Sequence, residues 1–435
     1  MCNGTIMDKL ISFSIPLMLS GILQLMFNAV DIVVVGRFSG SQALAAVGST
    51  TALINVFTNL FIGISLGANV LAARYYAAGK TKEMSETVHT AIALALVSGV
   101  AMAVIGVVFA RGALEIMGTP DDVIAKSTLY MRIYFCGMPF FMMYNYGAAI
   151  LRAVGDTKRP LIFLIVSGVI NAVLNLFLVI GFHLDVAGVG IATVISQLVS
   201  CILVLRCLHH TESSYQLHLA KLRIRSVYLK QIFEVGVPAG IQSTVINISN
   251  AMLQSSVNSF GSIAMAGYTA SNNIFGFLYV SVNSFTQACM SFTSQNYGVK
   301  KLKRMDRVLI DCMILSVVVT LILGSSVYVF GSELLHIYSD QADVIQYGME
   351  IFSYTTVTYF LCGLMDLFPG ALRGMGYSTV PMILSIIGTV GVRIIWIYGL
   401  FPSHRSLTFL FLSYPVSWIA TIIMQVICFW FVRKK

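Results

Sequence analysis

Three polar residues recur on one face of the first long apolar segment of the sequence. Gln24, Asn28 and Asp31 stand at positions i, i+4 and i+7 within an apolar run that extends from about residue 12 to residue 35. At 3.6 residues per turn, this spacing places the three side chains on one helix face. An ionisable residue inside a membrane helix is costly and indicates a functional site. The sequence therefore predicts that Asp31 binds a proton or a cation.

Amide side chains form a similar stripe in the seventh apolar segment, at positions i, i+3, i+7 and i+11: Asn247, Asn250, Gln254 and Asn258. Other apolar segments carry further amides, namely Asn55, Asn59, Asn171, Asn175, Asn283 and Gln287. Single amides can hydrogen-bond between helices, each contributing about 0.6 kcal/mol. Whole stripes favour a water-filled cavity, since unpaired amides are costly against lipid. We expect five of these side chains to line that cavity: Gln24, Asn28, Asn247, Asn250 and Gln254.

The composition indicates an all-α membrane protein that crosses the bilayer many times. Of its 435 residues, 57% are hydrophobic and only 10% are charged, against roughly 25% charged residues in soluble domains. Twelve apolar segments are long enough to span a bilayer, near 12–36, 44–72, 87–110, 126–151, 159–182, 187–209, 231–257, 264–293, 308–330, 346–372, 379–401 and 407–432. The net charge of +9 does not predict nucleic-acid binding, because the basic residues lie in short clusters between these segments.

Lysine and arginine are distributed unequally between the two sides of the predicted membrane. Of the 27 basic residues, 21 fall on the side of the N-terminus, four fall on the opposite side, and Arg132 and Arg393 lie within segments. Because basic loops stay in the cytoplasm, both termini, including Lys435, are predicted to be cytoplasmic.

The chain contains two homologous halves at an offset of 221 residues. Asp122-Val-Ile and Leu151-Arg-x-x-Gly155 align without gaps with Asp343-Val-Ile and Leu372-Arg-x-x-Gly376. We predict an N-lobe at 1–208, a linker at 209–230 and a C-lobe at 231–435. Six helices per half make this a parallel repeat, whose lobes would rock about a central cavity. The basic linker segment Lys221-Leu-Arg-Ile-Arg225 fits contact with anionic lipid headgroups and a solvated loop equally well.

Catalytic and cofactor motifs are not evident in the sequence. Gly79-Lys80-Thr81 resembles the end of a phosphate-binding loop, but it follows a predicted helix and Arg74 replaces the required first glycine. The histidines and cysteines form no metal-ligand spacing. The chain is predicted to be no enzyme and to have no cofactor.

Two basic residues within the segments need partners in the membrane. Arg132 and Asp31 lie at similar depth, so a structural ion pair between them competes with the cation-binding role of Asp31. Glu350 and Arg393 lie at similar depth in the second half, where we favour an ion pair. Asp366 is the second deep acid; it could attract cations or take part in helix packing.

The whole sequence resembles the multidrug and toxic compound extrusion (MATE) transporters. The resemblance is carried by the twelve segments in two halves and by motifs in matching order: Pro16…Phe-Asn-Ala-Val-Asp31, both Leu-Arg-x-x-Gly turns, Asp156-Thr-Lys-Arg-Pro160 and Thr293-Ser-Gln-Asn-Tyr-Gly298. It implies that Asp31 is the cation-coupling carboxylate and that Pro16 is the point where the first helix bends.

The resemblance also assigns further residues to the coupling site and reveals departures. The family's fifth helix carries an Asn and, four residues later, an Asp; here the pair is Asn171 and Asn175, so one carboxylate is missing. Thr193 matches the sixth-helix Thr of the site. The seventh-helix Glu of some members is absent, since Ile246 and Asn247 stand there. Asp31 is then the lone carboxylate, with H⁺ or Na⁺ as its cation.

The function implied is a secondary antiporter that exports amphiphilic organic cations, including drugs, in exchange for H⁺ or Na⁺. We expect a monomer in the cell membrane of a bacterium, in contact with lipid and not with nucleic acid. The alternative is a flippase for lipid-linked oligosaccharide or polysaccharide. Such proteins usually have more helices and several basic residues in the cavity, which argues against that alternative.

Overall fold

The computed structural model describes residues 1–434, with the side chain of residue 52 left aside; Lys435 lies outside the described residues. Within this range the chain is helical and contains no strand, which confirms the all-α prediction. Twelve long helical segments follow one another in the predicted order. The first six are Met7–Phe38, Gly40–Ala77, Thr81–Ile116, Ile124–Cys136 with Met138–Ala153, Lys158–Asn175 with Leu176–Gly181, and Asp185–His209. The second six are Ser226–Asn258, Ser262–Gly298, Leu302–Val329, Ala342–Thr355 with Tyr359–Gly374, Thr379–Ser385 with the turns as far as Ser403, and Leu407–Phe411 with Ser413–Lys434.

Eight of these helices are long and apolar enough to span a membrane, and a ninth qualifies if the tenth helix counts as one span across its 53° bend. The remaining three are the fourth, seventh and eighth. The fourth helix is interrupted at Gly137, and the seventh and eighth carry the amides noted above. Their lower hydrophobicity is what a helix facing a wet cavity requires, since only lipid-facing positions must be apolar.

The packing divides into two units. One comprises Leu19–Val237, and the other comprises Met1–Met18 together with Pro238–Lys435. The boundaries therefore fall inside the first and the seventh helix, two residues after Pro16 and directly before Pro238. In the second unit, Leu10 and Phe13 of the first helix are buried in a cluster with Phe292, and the rings of Phe13 and Phe292 make an edge contact at 5.5 Å. Residues 1–18, which the repeat assigns to the N-lobe, thus pack with the second half.

Two glycines allow the second helix and the start of the seventh to cross with their backbones in contact. A Cβ on Gly67 would lie 2.1 Å from the carbonyl oxygen of Ile232, and a Cβ on Gly236 would lie 2.5 Å from the Cα of Ile64. Both obstacles are backbone atoms, which cannot rotate away as a side chain can. Glycine at both positions therefore lets the first turns of the seventh helix pack directly against the second helix.

We expect Gly67→Ala to destabilise the protein by about 1–3 kcal/mol, because a methyl group there forces two backbones apart. Gly48→Ala is the matched control: Gly48 lies in the same helix and a Cβ there meets nothing within 4 Å. That substitution should be neutral or stabilising by roughly 0.5–1 kcal/mol, since alanine favours the helix. Thermal unfolding in detergent measures both variants. Equal melting temperatures for the two would contradict the crossing.

The fifth and eleventh helices both widen into π-helical turns. In the fifth helix the wide turns occupy Leu176–Gly181, directly after Asn175. In the eleventh they occupy Ile386–Gly391 and Trp396–Leu400. At the repeat offset of 221 residues, Leu176 of the fifth helix corresponds to Ile397, which lies in the wide turn Trp396–Leu400 of the eleventh helix. π-helical turns are rare in proteins, and those that occur often lie at functional sites. The C-terminal end of the fifth helix is therefore a candidate for such a site.

Candidate functional site

The first and fifth helices approach closely because the fifth helix has a glycine at their contact. A Cβ on Gly168 would lie 1.9 Å from ring carbons of Phe27. One turn further along each helix, Asp31 follows Phe27 at i+4, and Asn171 and Asn175 follow Gly168 at i+3 and i+7. These spacings keep each set on one helix face. The glycine contact therefore brings the carboxylate of the first helix to the amides of the fifth.

Asp31 accepts a hydrogen bond from the amide of Asn175. The same amide nitrogen donates a second hydrogen bond, of 3.1 Å, to Oδ1 of Asn171. Asn175 is fully buried and Asn171 is 5% exposed, whereas Asp31 is only partly buried. The two asparagines thus fix the position of the carboxylate and leave one side of it accessible. Of the four residues assigned to the coupling site, the structure brings these three together.

An oxygen atom next to Asp31 lacks a partner. Oδ1 of Asn175 is buried and accepts no hydrogen bond within the described part of the chain. Asp31 forms no ion pair with a described lysine, arginine or histidine. A carboxylate beside a bare amide oxygen suits a bound cation or an added proton, because both oxygens are acceptors. These residues fit a Na⁺ ion or a proton; within residues 1–434 no cluster of three His, Cys, Asp or Glu side chains forms a metal site.

Tyr130 and Tyr134 of the fourth helix complete this region. Both lie within electrostatic range of Asp31, and their rings are 6.2 Å apart. Phenol groups can donate a hydrogen bond to a carboxylate or accept one from a protonated acid. Sequence reasoning missed them, although their i, i+4 spacing on a membrane helix was a usable signal.

The other predicted residues of this half lie elsewhere. The hydroxyl of Thr193 donates to the carbonyl of Val189 in its own helix at 2.9 Å and does not bond to Asp31. Gln24 and Asn28 are exposed and form no hydrogen bond with a described residue, as expected of side chains that meet water. Pro16 is buried within the first helix, which continues through it without a break.

The ion pair between Arg132 and Asp31, the alternative to a cation-binding role for Asp31, is not formed. Arg132 is exposed, and its Nε donates to the carbonyl of Val107 in the third helix at 3.1 Å. Its position explains the result: Arg132 is two residues from Tyr130 and from Tyr134, and helix residues two apart do not share a face. Since both tyrosines are near Asp31, Arg132 is directed away from it.

We therefore expect Arg132→Gln to change transport by less than about twofold, because no bond to Asp31 is lost. Dye efflux from cells with matched protein levels measures this. A loss as complete as that caused by removing the Asp31 charge would instead favour the ion pair, because it would show that the two charges act together.

The predicted pair of Glu350 and Arg393 is also not formed. Glu350 accepts a hydrogen bond of 2.6 Å from the hydroxyl of Thr408. Arg393 is 3% exposed and donates to Asn250 Oδ1 at 2.7 Å and to Ser417 Oγ at 3.4 Å. Its guanidinium also lies 4.6 Å from the centre of the Tyr414 ring. Neutral acceptors and an aromatic face thus stabilise this buried charge.

The seventh-helix amides divide between two environments. Asn247 and Gln254 are exposed, which fits side chains that meet water. Asn250 was predicted to line the cavity with them, but its side chain instead accepts a hydrogen bond from Arg393.

Asp366 forms no hydrogen bond or ion pair with a described residue. It lies within electrostatic range of Arg373 and Tyr279, and Arg373 donates to Gln242 at 2.5 Å.

Comparison with known proteins identifies the family. The family model described as MatE matches residues 16–177 and 238–398, one match in each half. A relative named probable multidrug resistance protein YoeA, from Bacillus subtilis strain 168, is 29% identical over 97% of this chain and 93% of its own length. Multidrug export protein MepA of Staphylococcus saprophyticus is 23% identical over 92% and 89%.

A solved structure has the same fold over nearly the whole chain. It is described as the outward-facing conformation of a multidrug resistance MATE family transporter of the MOP superfamily. It superposes with a TM-score of 0.91 at 19% identity and covers 99% of this chain and 96% of its own. The chain therefore belongs to the MatE family and is a multi-span membrane transporter of the MATE type, not an enzyme.

Proposed function

We propose that this transporter exports amphiphilic organic cations, including drugs, in exchange for H⁺ or Na⁺ bound at Asp31. The observation that carries the proposal is the Asp31 carboxylate, which is held by Asn175, has no basic partner among the described residues and lies beside an unpaired amide oxygen. The names of the relatives, multidrug resistance and multidrug export proteins, support the substrate class.

The geometry suggests how one carboxylate could serve both substrate and coupling ion. An ionised Asp31 attracts a cationic substrate, and a proton or Na⁺ on the same carboxylate removes that attraction. The two ligands then exclude each other, which is the requirement for exchange. In the outward-open state the coupling ion would bind, and substrate would leave. A bend of the first helix at Pro16, and rocking of an N-lobe against a C-lobe, would then carry the ion-loaded site to the cytoplasmic side, where the ion leaves and substrate binds.

Energy for export would come from the ion gradient. Exchange of one H⁺ or Na⁺ for one monovalent cationic substrate moves no net charge, so the concentration gradient of the ion, and not the membrane potential, drives export. A tenfold ion gradient supplies about 1.4 kcal/mol and supports roughly a tenfold gradient of substrate. A single carboxylate site is sufficient for such a gain, so the missing acid at position 175 does not prevent coupling. We propose that a monomer carries out the cycle.

Transport by the purified protein in proteoliposomes tests the proposal. A cationic dye is followed while a pH gradient and a Na⁺ gradient are imposed separately. Dye movement driven by either gradient supports antiport and identifies the ion. Dye movement driven by neither gradient contradicts it. Translocation of a lipid-linked oligosaccharide, without any dye transport, would favour the flippase alternative.

A further inference from the structure

A basic cavity lies between the linker and the start of the third helix, away from Asp31. Its volume is about 500 Å³, and its lining includes Lys82, Glu86, His89, Lys221 and Arg223. This size is typical of ligand pockets, which range over roughly 300–1,000 Å³. The linker forms one wall of the cavity and the third helix forms the other.

The linker is packed in a fixed position and is not a solvated loop. Tyr215 and Leu217 are buried in the hydrophobic core of the first unit. Glu86 of the third helix binds Arg223 through both of its oxygens and Arg225 through Oε2, at 3.2 Å for the latter. The hydroxyl of Thr90 accepts from the backbone N–H of Arg225 at 3.3 Å. The cavity therefore has two preformed walls.

His89 forms a further contact between the walls. Its Nε2 accepts from the backbone N–H of His218 at 3.1 Å, and its Nδ1 lies 2.6 Å from the carbonyl of Ser85. These partners fit the neutral ring with its proton on Nδ1. His89 thus adds no charge to the cavity, and the charge comes from the lysines and arginines.

Positive charge is in excess at this site. Glu86 is the one acid in the cavity lining, and both of its oxygens are already bound to the two arginines. Lys82 and Lys221 are exposed and form no ion pair with a described residue. The three basic side chains of the lining, Lys82, Lys221 and Arg223, and the acid Glu86 together leave two positive charges, so the cavity suits an anion whose oxygens accept from lysine.

The length of the third helix allows its first turns, which line the cavity, to reach the lipid headgroups. The third helix has 36 residues and is therefore about 54 Å long, whereas the hydrocarbon core is about 30 Å thick and the whole bilayer about 45 Å. Lys82, Glu86 and His89 occupy its first turns, before the uncharged run from residue 90 to residue 110 that is long enough to cross the core. Next to them, the linker exposes large apolar side chains: Leu219 is 58% exposed, Ile224 41% and Val227 63%. Basic residues alternating with exposed apolar ones are typical of segments that lie in the membrane interface.

We propose that this cavity binds the phosphate headgroup of an anionic phospholipid such as phosphatidylglycerol. Lys82 and Lys221 hold the phosphate, Arg223 lies beside it, and the exposed linker side chains contact the acyl chains. A bound lipid would stabilise the linker, which connects the two halves, in its packed position. The charge excess accounts for the phosphate, and the apolar exposure favours a lipid over a soluble anion.

The test measures thermal stability of the full-length protein in neutral detergent during titration with phosphatidylglycerol, phosphatidylcholine or inorganic phosphate. A ligand that binds only the folded state raises the melting temperature, and the rise grows with the logarithm of the ligand concentration divided by its Kd. We expect stabilisation by phosphatidylglycerol alone. In the double variant Lys82→Gln, Lys221→Gln, its affinity should fall about 30-fold, from about 1 kcal/mol for each basic residue at an anionic membrane surface.

The matched control is Lys300→Gln with Lys303→Gln, which removes the same charge outside the cavity and should keep the wild-type affinity. Equal loss in both double variants would overturn the proposal, because it would show a general charge effect. Stabilisation by inorganic phosphate equal to that by phosphatidylglycerol would overturn the lipid assignment. No stabilisation by phosphatidylglycerol at all would overturn the site.

Discussion

Replacement of Asp31 by Asn is expected to abolish gradient-driven accumulation while leaving the fold intact. The reason lies in the hydrogen bond from Asn175 to Asp31 Oδ1: the carboxamide oxygen of Asn at position 31 can accept the same bond, so the geometry is kept. What is lost is the charge that would bind a proton, a Na⁺ ion or a cationic substrate. Under a tenfold ion gradient the accumulation ratio should therefore fall from roughly tenfold to one.

The measurement compares dye accumulation in proteoliposomes under an imposed gradient with the unfolding temperature of the same preparation. Asp8→Asn is the matched control, since it makes the same chemical change in the first turn of the same helix, at an exposed position. It should transport normally. Full accumulation by the Asp31→Asn protein would exclude a coupling role for this carboxylate. A large fall in its melting temperature would assign Asp31 a structural role instead.

The helices and the repeat were predictable because their signals are local. Each segment reveals itself by its apolar length and by the charged or glycine-rich stretch at its end. Even the fourth helix, which breaks at Gly137, and the tenth, which bends by 53°, kept this pattern and were found as single segments. What the pattern did not reveal was the packing of residues 1–18 with the second half. That contact depends on tertiary structure, and repeat alignment carries no information about it.

The polar residues show where depth in the membrane is a poor guide. Arg132 and Arg393 were paired with acids at similar depth, but depth does not state which way a side chain points. For Arg132 the direction could have been inferred, since Tyr130 and Tyr134 share a face that Arg132 does not. For Arg393 it could not, because its partners Asn250 and Ser417 come from two other helices. The assignment of Thr193 to the coupling site is not reflected in its contacts for a related reason. Its hydroxyl donates to a carbonyl of its own helix, as the hydroxyl of any threonine in a membrane helix can.

The contact between Asp31 and Asn175 illustrates the same limit. The family resemblance supplied both residues, and the helical spacing put each on a defined face. The two side chains meet because Gly168 lets the ring of Phe27 approach the fifth helix. The pattern of polar residues in the sequence does not identify this glycine. Gly168 therefore allows Asp31 of the first helix and Asn175 of the fifth helix to form one site.

Gly168→Ala is accordingly expected to reduce transport roughly tenfold without touching a polar group. A methyl group at this position overlaps ring carbons of Phe27, and overpacking of this kind costs about 1–3 kcal/mol. If the first helix moves to relieve the overlap, the bond between Asn175 and Asp31 lengthens and the carboxylate loses its fixed position. Dye accumulation under an imposed gradient measures the loss.

A second substitution makes the mechanism testable. Phe27→Leu shortens the side chain that the methyl group meets, so the double variant Gly168→Ala, Phe27→Leu should recover much of the activity. Such recovery is a coupling between neighbouring residues, which distant residues do not show. Gly181→Ala serves as the control in the same helix, because a Cβ there has only one neighbour, at 3.9 Å, and should be tolerated. If the double variant is no better than Gly168→Ala alone, the glycine does not act through Phe27. The position of Asp31 would then depend on the asparagines and not on the spacing of the two helices.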